Sequence, residues 1–175
     1  MESVIVALVS VCLGWLLSQG TELVKSRRKV ARVKKAILAE LCDIKKYSDI
    51  AIDQCCEFRD SLGSNRYGVI VPQPIKSVVF DTHYVSVYAD FSPEERFALG
   101  IIYGHVENFN SILPKITEDN VITCFGDLYS ASLWLQACIN QFQSNPNAQI
   151  AEAPHEVTRI NSELGKYLKS VGLLK

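Results

Sequence analysis

No proline occurs before Pro72, and no glycine lies between Gly20 and Gly63, in this chain of 175 residues. Between Gly20 and Gly63 the two residues that most readily break a helix are therefore both missing. Histidine is scarce: His83, His105 and His155 are the whole supply, and no H-E-x-x-H is among them. Nor is there a C-x-x-C, a G-x-S-x-G or a G-x-x-x-x-G-K-S/T. The local signatures of a zinc peptidase, a dithiol or zinc ribbon, an α/β-hydrolase and a phosphate-binding loop are thereby absent. Arg96 and His105 stand too far apart for the Arg-to-His spacing of HEPN-type helical ribonucleases. His105-Val106-Glu107 is not an i, i+4 ligand pair, and Asp81 with His83, or Glu40 with Asp43, could join His105 only through the fold. No catalytic residue, metal ligand or cofactor is expected on these grounds, and an enzyme with an unrecognised site stays as the alternative reading.

Acidic residues are missing between Lys25 and Lys35, where seven basic ones fall: Lys25, Arg27, Arg28, Lys29, Arg32, Lys34 and Lys35. From Ala36 to Lys175, 11 Lys/Arg stand against 17 Asp/Glu, a difference of −6, so the overall charge of −1 conceals a basic block on an acidic body. Such a block suits an anionic surface close by; without interleaved aromatics it does not suit nucleic acid. Anionic lipid contact through these seven residues is expected, at roughly 1 kcal/mol each.

Directly before the block, Ser3 to Leu17 reads SVIVALVSVCLGWLL and carries no charge. As a helix, Ser3 to Gln19 would span roughly 26 Å, near the bilayer core of about 30 Å. A cleaved signal peptide carries its positive charge ahead of the apolar run. A buried core helix has no need of seven cations one turn past its end. A signal anchor accounts for both features, and Trp15 suits an interface. The expected plan is a transmembrane anchor over 1–22, a basic juxtamembrane segment over 23–35 and a helical domain over 36–175. The N-terminus would lie outside the inner membrane and the C-terminal domain in the cytoplasm. Ser3, Ala7, Ser10, Gly14 and Ser18 recur at steps of three and four, a stripe along which a second backbone can come close. Self-association in the membrane is expected there. The six cysteines, Cys12, Cys42, Cys55, Cys56, Cys124 and Cys138, read as small buried hydrophobes of a reducing compartment.

Beyond the anchor the periodicity is helical. Val30, Val33, Ile37, Leu41, Ile44, Ile52, Cys55, Phe58 and Leu62 predict one long amphipathic helix continuing from the anchor, with Gly63 as its C-terminal cap. Ser64 to Pro74 is expected to be a loop. Lys76 to Ala89 is expected to be a helix, a strand being the other reading of its β-branched run. Ser92-Pro93-Glu94-Glu95 predicts a capping box opening a helix that stops at Pro114. Thr117-Glu118-Asp119-Asn120 predicts a cap for a helix to about Gln143, and His155 to Val171 a last one. The fold class is all-α: an anchor helix running into a bundle with three to four more helices. On the helix opened by Ser92, Tyr103, Glu107 and Asn110 share a face, expected to be a polar seam between helices.

AILAELCDIKKY from Ala36, the VPQP loop, SPEERFALGIIYGHVENFNSIL from Ser92 and the C-terminal helices resemble small uncharacterised bacterial proteins with one N-terminal membrane helix. The resemblance covers most of the chain and implies the anchor and the helical domain; it implies no activity. The expected function is a membrane-tethered, self-associating protein acting through a protein partner. A sensor or effector in bacterial antiviral defence or stress response is the setting it suits.

Overall fold

The computed structural model describes residues 2–62, 70–150 and 153–174, with the side chains of 2–9 and 11 left aside. Five helices make up the described chain: α1 (Glu2–Ser61), α2 (Val78–Val87), α3 (Pro93–Ile112), α4 (Val121–Ser144) and α5 (Pro154–Ser170). They pack as an all-helical bundle.

The proline-free run, with Gly14 and Gly20 as its glycines, becomes one unbroken helix of 60 residues, about 90 Å long. Its last turn closes through Leu62 N–H to Arg59 O at 3.1 Å. The expected cap at Gly63 and most of the following loop fall outside the described residues. Ile37, Leu41, Ile44, Ala51, Cys55 and Phe58 are buried, and Val30 and Val33 pack against their edge, so α1 joins the bundle from about Val30 onward. Among the described residues no helix is long and apolar enough to cross a membrane. Residues 3–9 and 11, most of the apolar run, have side chains outside that description.

The β-branched segment after Lys76 is helical: α2 covers Val78–Val87 and tightens into a 3-10 turn at Tyr88–Asp90. The capping box forms as the sequence predicts. Ser92 Oγ accepts from Glu95 N–H at 3.1 Å, Glu95 Oε2 accepts from Ser92 N–H at 2.7 Å, and Pro93 opens α3. α3 ends at Ile112, and Leu113–Lys115 forms a 3-10 turn around Pro114. The cap expected for α4 differs. Asn120 holds the N-cap position, but its side chain turns backward, Nδ2 donating to Lys115 O at 2.9 Å and Oδ1 accepting from Thr117 N–H at 2.8 Å. It closes the preceding turn, so Glu118 and Asp119 lie outside the helix.

α4 is the central helix, packed on α1, α3 and α5. It buries Cys124, Phe125, Gly126, Leu128, Tyr129, Ala131, Leu135, Ile139 and Phe142, residues spread right round its circumference, as a helix enclosed by others requires. Phe58 of α1 stacks on Phe125 at 4.1 Å between centroids, and Tyr129 stacks on Tyr167 of α5 at 4.0 Å. Tyr167 Oη donates to Cys55 O at 3.1 Å, tying α5 to α1 across α4. Burial pushes the Cys55 thiol up to about 12, with Cys56 adding to it, and the Cys138 thiol up to about 11, so both act as apolar filler. Cys12 and Cys42 depart from the expected pattern, because both are exposed.

Phe125 is fully buried at the crossing of α1 and α4. Phe125→Ala is expected to cost about 3–5 kcal/mol, the transfer loss plus the cavity left behind. Urea unfolding followed by circular dichroism would measure it, and a cost under about 1 kcal/mol would contradict this packing.

Candidate functional site

Two regions hold the residues singled out by sequence: the stretch of α1 that stands clear of the bundle, and the seam where α1, α2 and α3 meet.

From Ser10 to Lys29 every α1 residue whose side chain is described is exposed. Leu13, Trp15, Leu16, Leu17, Leu23 and Val24 are each between 48% and 71% exposed. Of the small stripe, Ser3 and Ala7 have side chains outside the described residues. Ser10, Gly14 and Ser18 lie on the exposed helix, and a Cβ added at Gly14 would meet nothing within 4 Å. Thr21 Oγ1 donates back to Leu17 O at 2.7 Å, a local bond that hides its hydroxyl within the helix.

The seven cations separate into different environments. At 100° per residue, Lys25, Arg28, Arg32 and Lys35 fall on the side away from the bundle, with Arg27 and Lys29 on the two flanks, and all six are exposed. Lys34 turns the other way and is half-buried. Its ammonium lies 4.3 Å from the centroid of Phe91, donates to Asp90 O at 2.5 Å and stands 3.9 Å from Glu95 Oε2. Next to it Arg96 Nη1 donates to Phe91 O at 2.9 Å and its guanidinium lies 4.7 Å from the Tyr88 ring centre. Lys34 thus fastens the α2–α3 corner to α1 where that helix enters the bundle. Of the seven cations expected to meet lipid, Lys34 thus has its charge engaged inside the fold.

The seam centres on Glu40, which sequence reasoning weighed only as half of a carboxylate pair. Its Oε1 accepts from Val79 N–H at 2.7 Å; its Oε2 accepts from Phe80 N–H at 3.0 Å and from Tyr103 Oη at 2.8 Å. Ser77, the residue at the N-cap of α2, makes no capping bond and instead donates to Asp81 Oδ2 at 2.7 Å. Glu40 therefore caps α2 from another helix, placing an anion where the helix dipole is positive. Burial first, then the bond to Glu40, holds the Tyr103 phenol well above its ordinary range. Phe80 stacks on Tyr103 at 3.6 Å and closes the site from above. Asn110 clamps the segment before α2, accepting from Ile75 N–H and donating to Ile75 O, both at 2.8 Å. Glu107, the third residue of the expected seam, is exposed. A Glu set between the buried Ile37 and Leu41 was the available signal, but its partners lie about 40 and 63 positions away.

The carboxylates do not gather round a histidine. Asp43 pairs with Lys46 at 3.5 Å and Asp81 with Ser77, while His83 is exposed. Among the described residues no group of three His, Cys, Asp or Glu could hold a metal ion. His105 lines a separate cleft between α3 and α4 with Asn108, Lys115, Asp127 and Trp134, and burial lowers its pKa so that it stays neutral at pH 7.

The chain matches no family model, no curated protein and no solved structure.

Glu40→Ala strands two helix N–H groups and a buried phenol, so a cost of about 2–4 kcal/mol is expected. The α2 amides should lose hydrogen-exchange protection while those of α4 keep theirs, because ten residues of helix without a cap do not hold alone. A pH test follows from Tyr103. Its folded-state pKa lies above the ordinary 10.0, so its contribution is complete below pH 10 and is lost as pH rises beyond it. The stability gap between wild type and Tyr103→Phe is expected to shrink above pH 10 in denaturant titrations; a constant gap would refute the bond to Glu40.

Proposed function

We propose that this chain is a membrane-tethered helical protein whose bundle acts by binding another protein on the cytoplasmic side of the inner membrane. What supports this reading is the projecting part of α1. Six large apolar side chains between Leu13 and Val24 are exposed on a helix continuous with the bundle, and nothing in the bundle reaches them. A run of that size left in water is costly, so it calls for lipid or another apolar helix. The uncharged sequence Ser3–Leu17 before it and the cations after it make a bilayer the fitting partner. Lys25, Arg28, Lys29 and Arg32 then stand at the headgroup level and attract anionic lipid. Ser10, Gly14 and Ser18 give a second anchor room to approach, so lateral self-association belongs to the same reading.

The bundle is the interacting domain in this proposal. On α2, Val78 and Val85 lie seven residues apart on one face and are 62% and 85% exposed, which makes that face the natural place to seek a protein partner. A sensor or effector role in bacterial defence or stress response is compatible with it.

Full-length protein is expected to stay in the membrane pellet through carbonate washing, with a C-terminal reporter in the cytoplasm. Leu13→Arg with Leu17→Arg should release it, at about 2.5–3.5 kcal/mol of insertion per charge. Wild type freed by carbonate would end the reading. Gly14→Ile should keep the protein in the membrane but lower crosslinking between anchors, and equal yields would remove the small stripe from the proposal.

A further inference from the structure

The outward face of α1, opposite the core, carries its charge in two separate blocks. Arg28, Arg32, Lys35, Ala39, Cys42, Lys46, Asp53 and Glu57 follow one another at steps of three, four or seven, so they lie along one line of the helix, and all are exposed. At its N-terminal end the line is basic, with Lys25 beside it. At its C-terminal end every exposed charge from Asp49 to Asp60 is acidic. Between them lie two small side chains, Ala39 and Cys42, and Lys46, whose charge is paired with Asp43 at 3.5 Å. Among the described residues, none of Arg28, Arg32, Lys35, Asp53 or Glu57 has an ion-pair partner in its own chain.

We infer that this face pairs antiparallel with the same face of a second copy of the chain. Reversing one copy sets Arg28 opposite Glu57 of the other and Arg32 opposite Asp53 in the same register, and the two-fold relation repeats both pairs. Lys46 then passes over Ala39, and the backbones cross closest near Cys42. The spacing averages 3.5 residues along most of the line, the repeat that keeps two helices in contact. A parallel pair would oppose Arg28 with Arg28 and Glu57 with Glu57, like charge on like along the whole line. An anionic bilayer suits the basic half alone, because it repels Asp49, Asp53, Glu57 and Asp60. A second copy is the partner that satisfies both halves.

This pairing goes beyond the membrane reading and holds whether or not the N-terminal segment enters a bilayer. Two copies so joined point their N-terminal segments in opposite directions, with the Glu22 residues roughly 60 Å apart. It therefore serves contact between chains on facing surfaces, where lateral pairing through the anchors would act within one.

The test uses the full chain carrying Gly14→Ile throughout, to remove association through the anchors, in detergent micelles where no bilayer fixes the orientation, followed by sedimentation at 0.1 M and 0.5 M salt. Association that weakens about tenfold at the higher salt is expected. Arg28→Glu/Arg32→Glu/Lys35→Glu and Asp53→Lys/Glu57→Lys/Asp60→Lys should each be monomeric, and mixing the two should restore a heterodimer. The chain carrying all six reversals should self-associate as the unreversed chain does. Direction is read separately with Cys12 and Cys42 replaced by Ser: Arg32→Cys mixed with Asp53→Cys should crosslink, and Arg32→Cys alone should not. Circular dichroism confirms that each variant folds. A monomeric unreversed chain, charge reversals that leave the dimer intact, or crosslinking of Arg32→Cys with itself would each overturn the pairing. Loss of carbonate resistance would overturn the membrane reading and leave this one untouched.

Discussion

An uninterrupted backbone from Glu2 to Ser61 is the constraint on which the rest of this structure depends. Without proline or an interior glycine beyond Gly20, α1 has no place to bend sharply. Everything else is attached to it: α4 packs along it, α2 borrows its carboxylate, and α5 reaches it through Tyr167. A single member thus supplies one wall of the core and also the segment that leaves the bundle.

Two side chains on α1 hold the short α2 region, and they do so by opposite charge. Glu40 receives the N-terminus of α2, where peptide N–H groups point outward. Lys34, about two turns earlier, receives the carbonyl of Asp90 just past the other end, and covers the Phe91 ring. Both ends of a weak helix are thereby satisfied by one strong helix. The order follows the helix dipole, anion at the amino end and cation at the carboxyl end. Lys34 and Glu40 thus each hold one end of the α2 region.

The long helix, the capping box at Ser92 and the helical character of the C-terminal third were legible in the sequence, because each rests on local spacing. Ser92, Pro93 and Glu95 need only one another, and the interval from Val30 to Phe58 repeats on one face. The seam was legible in part. Tyr103 and Asn110 share a face with Glu107 by periodicity, yet the fold turns the first two inward and leaves Glu107 in water. Glu40 and Lys34 were not legible, because a bond to a backbone atom dozens of positions away leaves no pattern in residue types. Asn120 misled for the same reason: it can cap forward or close the turn behind it, and Lys115 O decides which.

A continuous helix is torsionally stiff, and this has a consequence for the segment outside the bundle. Core packing at Ile37, Leu41 and Ile44 fixes the azimuth of α1, since a roll of one residue, about 100°, would carry those side chains out of the interior. The same rotation is imposed, turn by turn, on Leu13, Gly14 and Leu17. The bundle therefore dials the compass bearing at which each face of the N-terminal segment meets its surroundings, and a twist applied at that segment arrives at the core as torque.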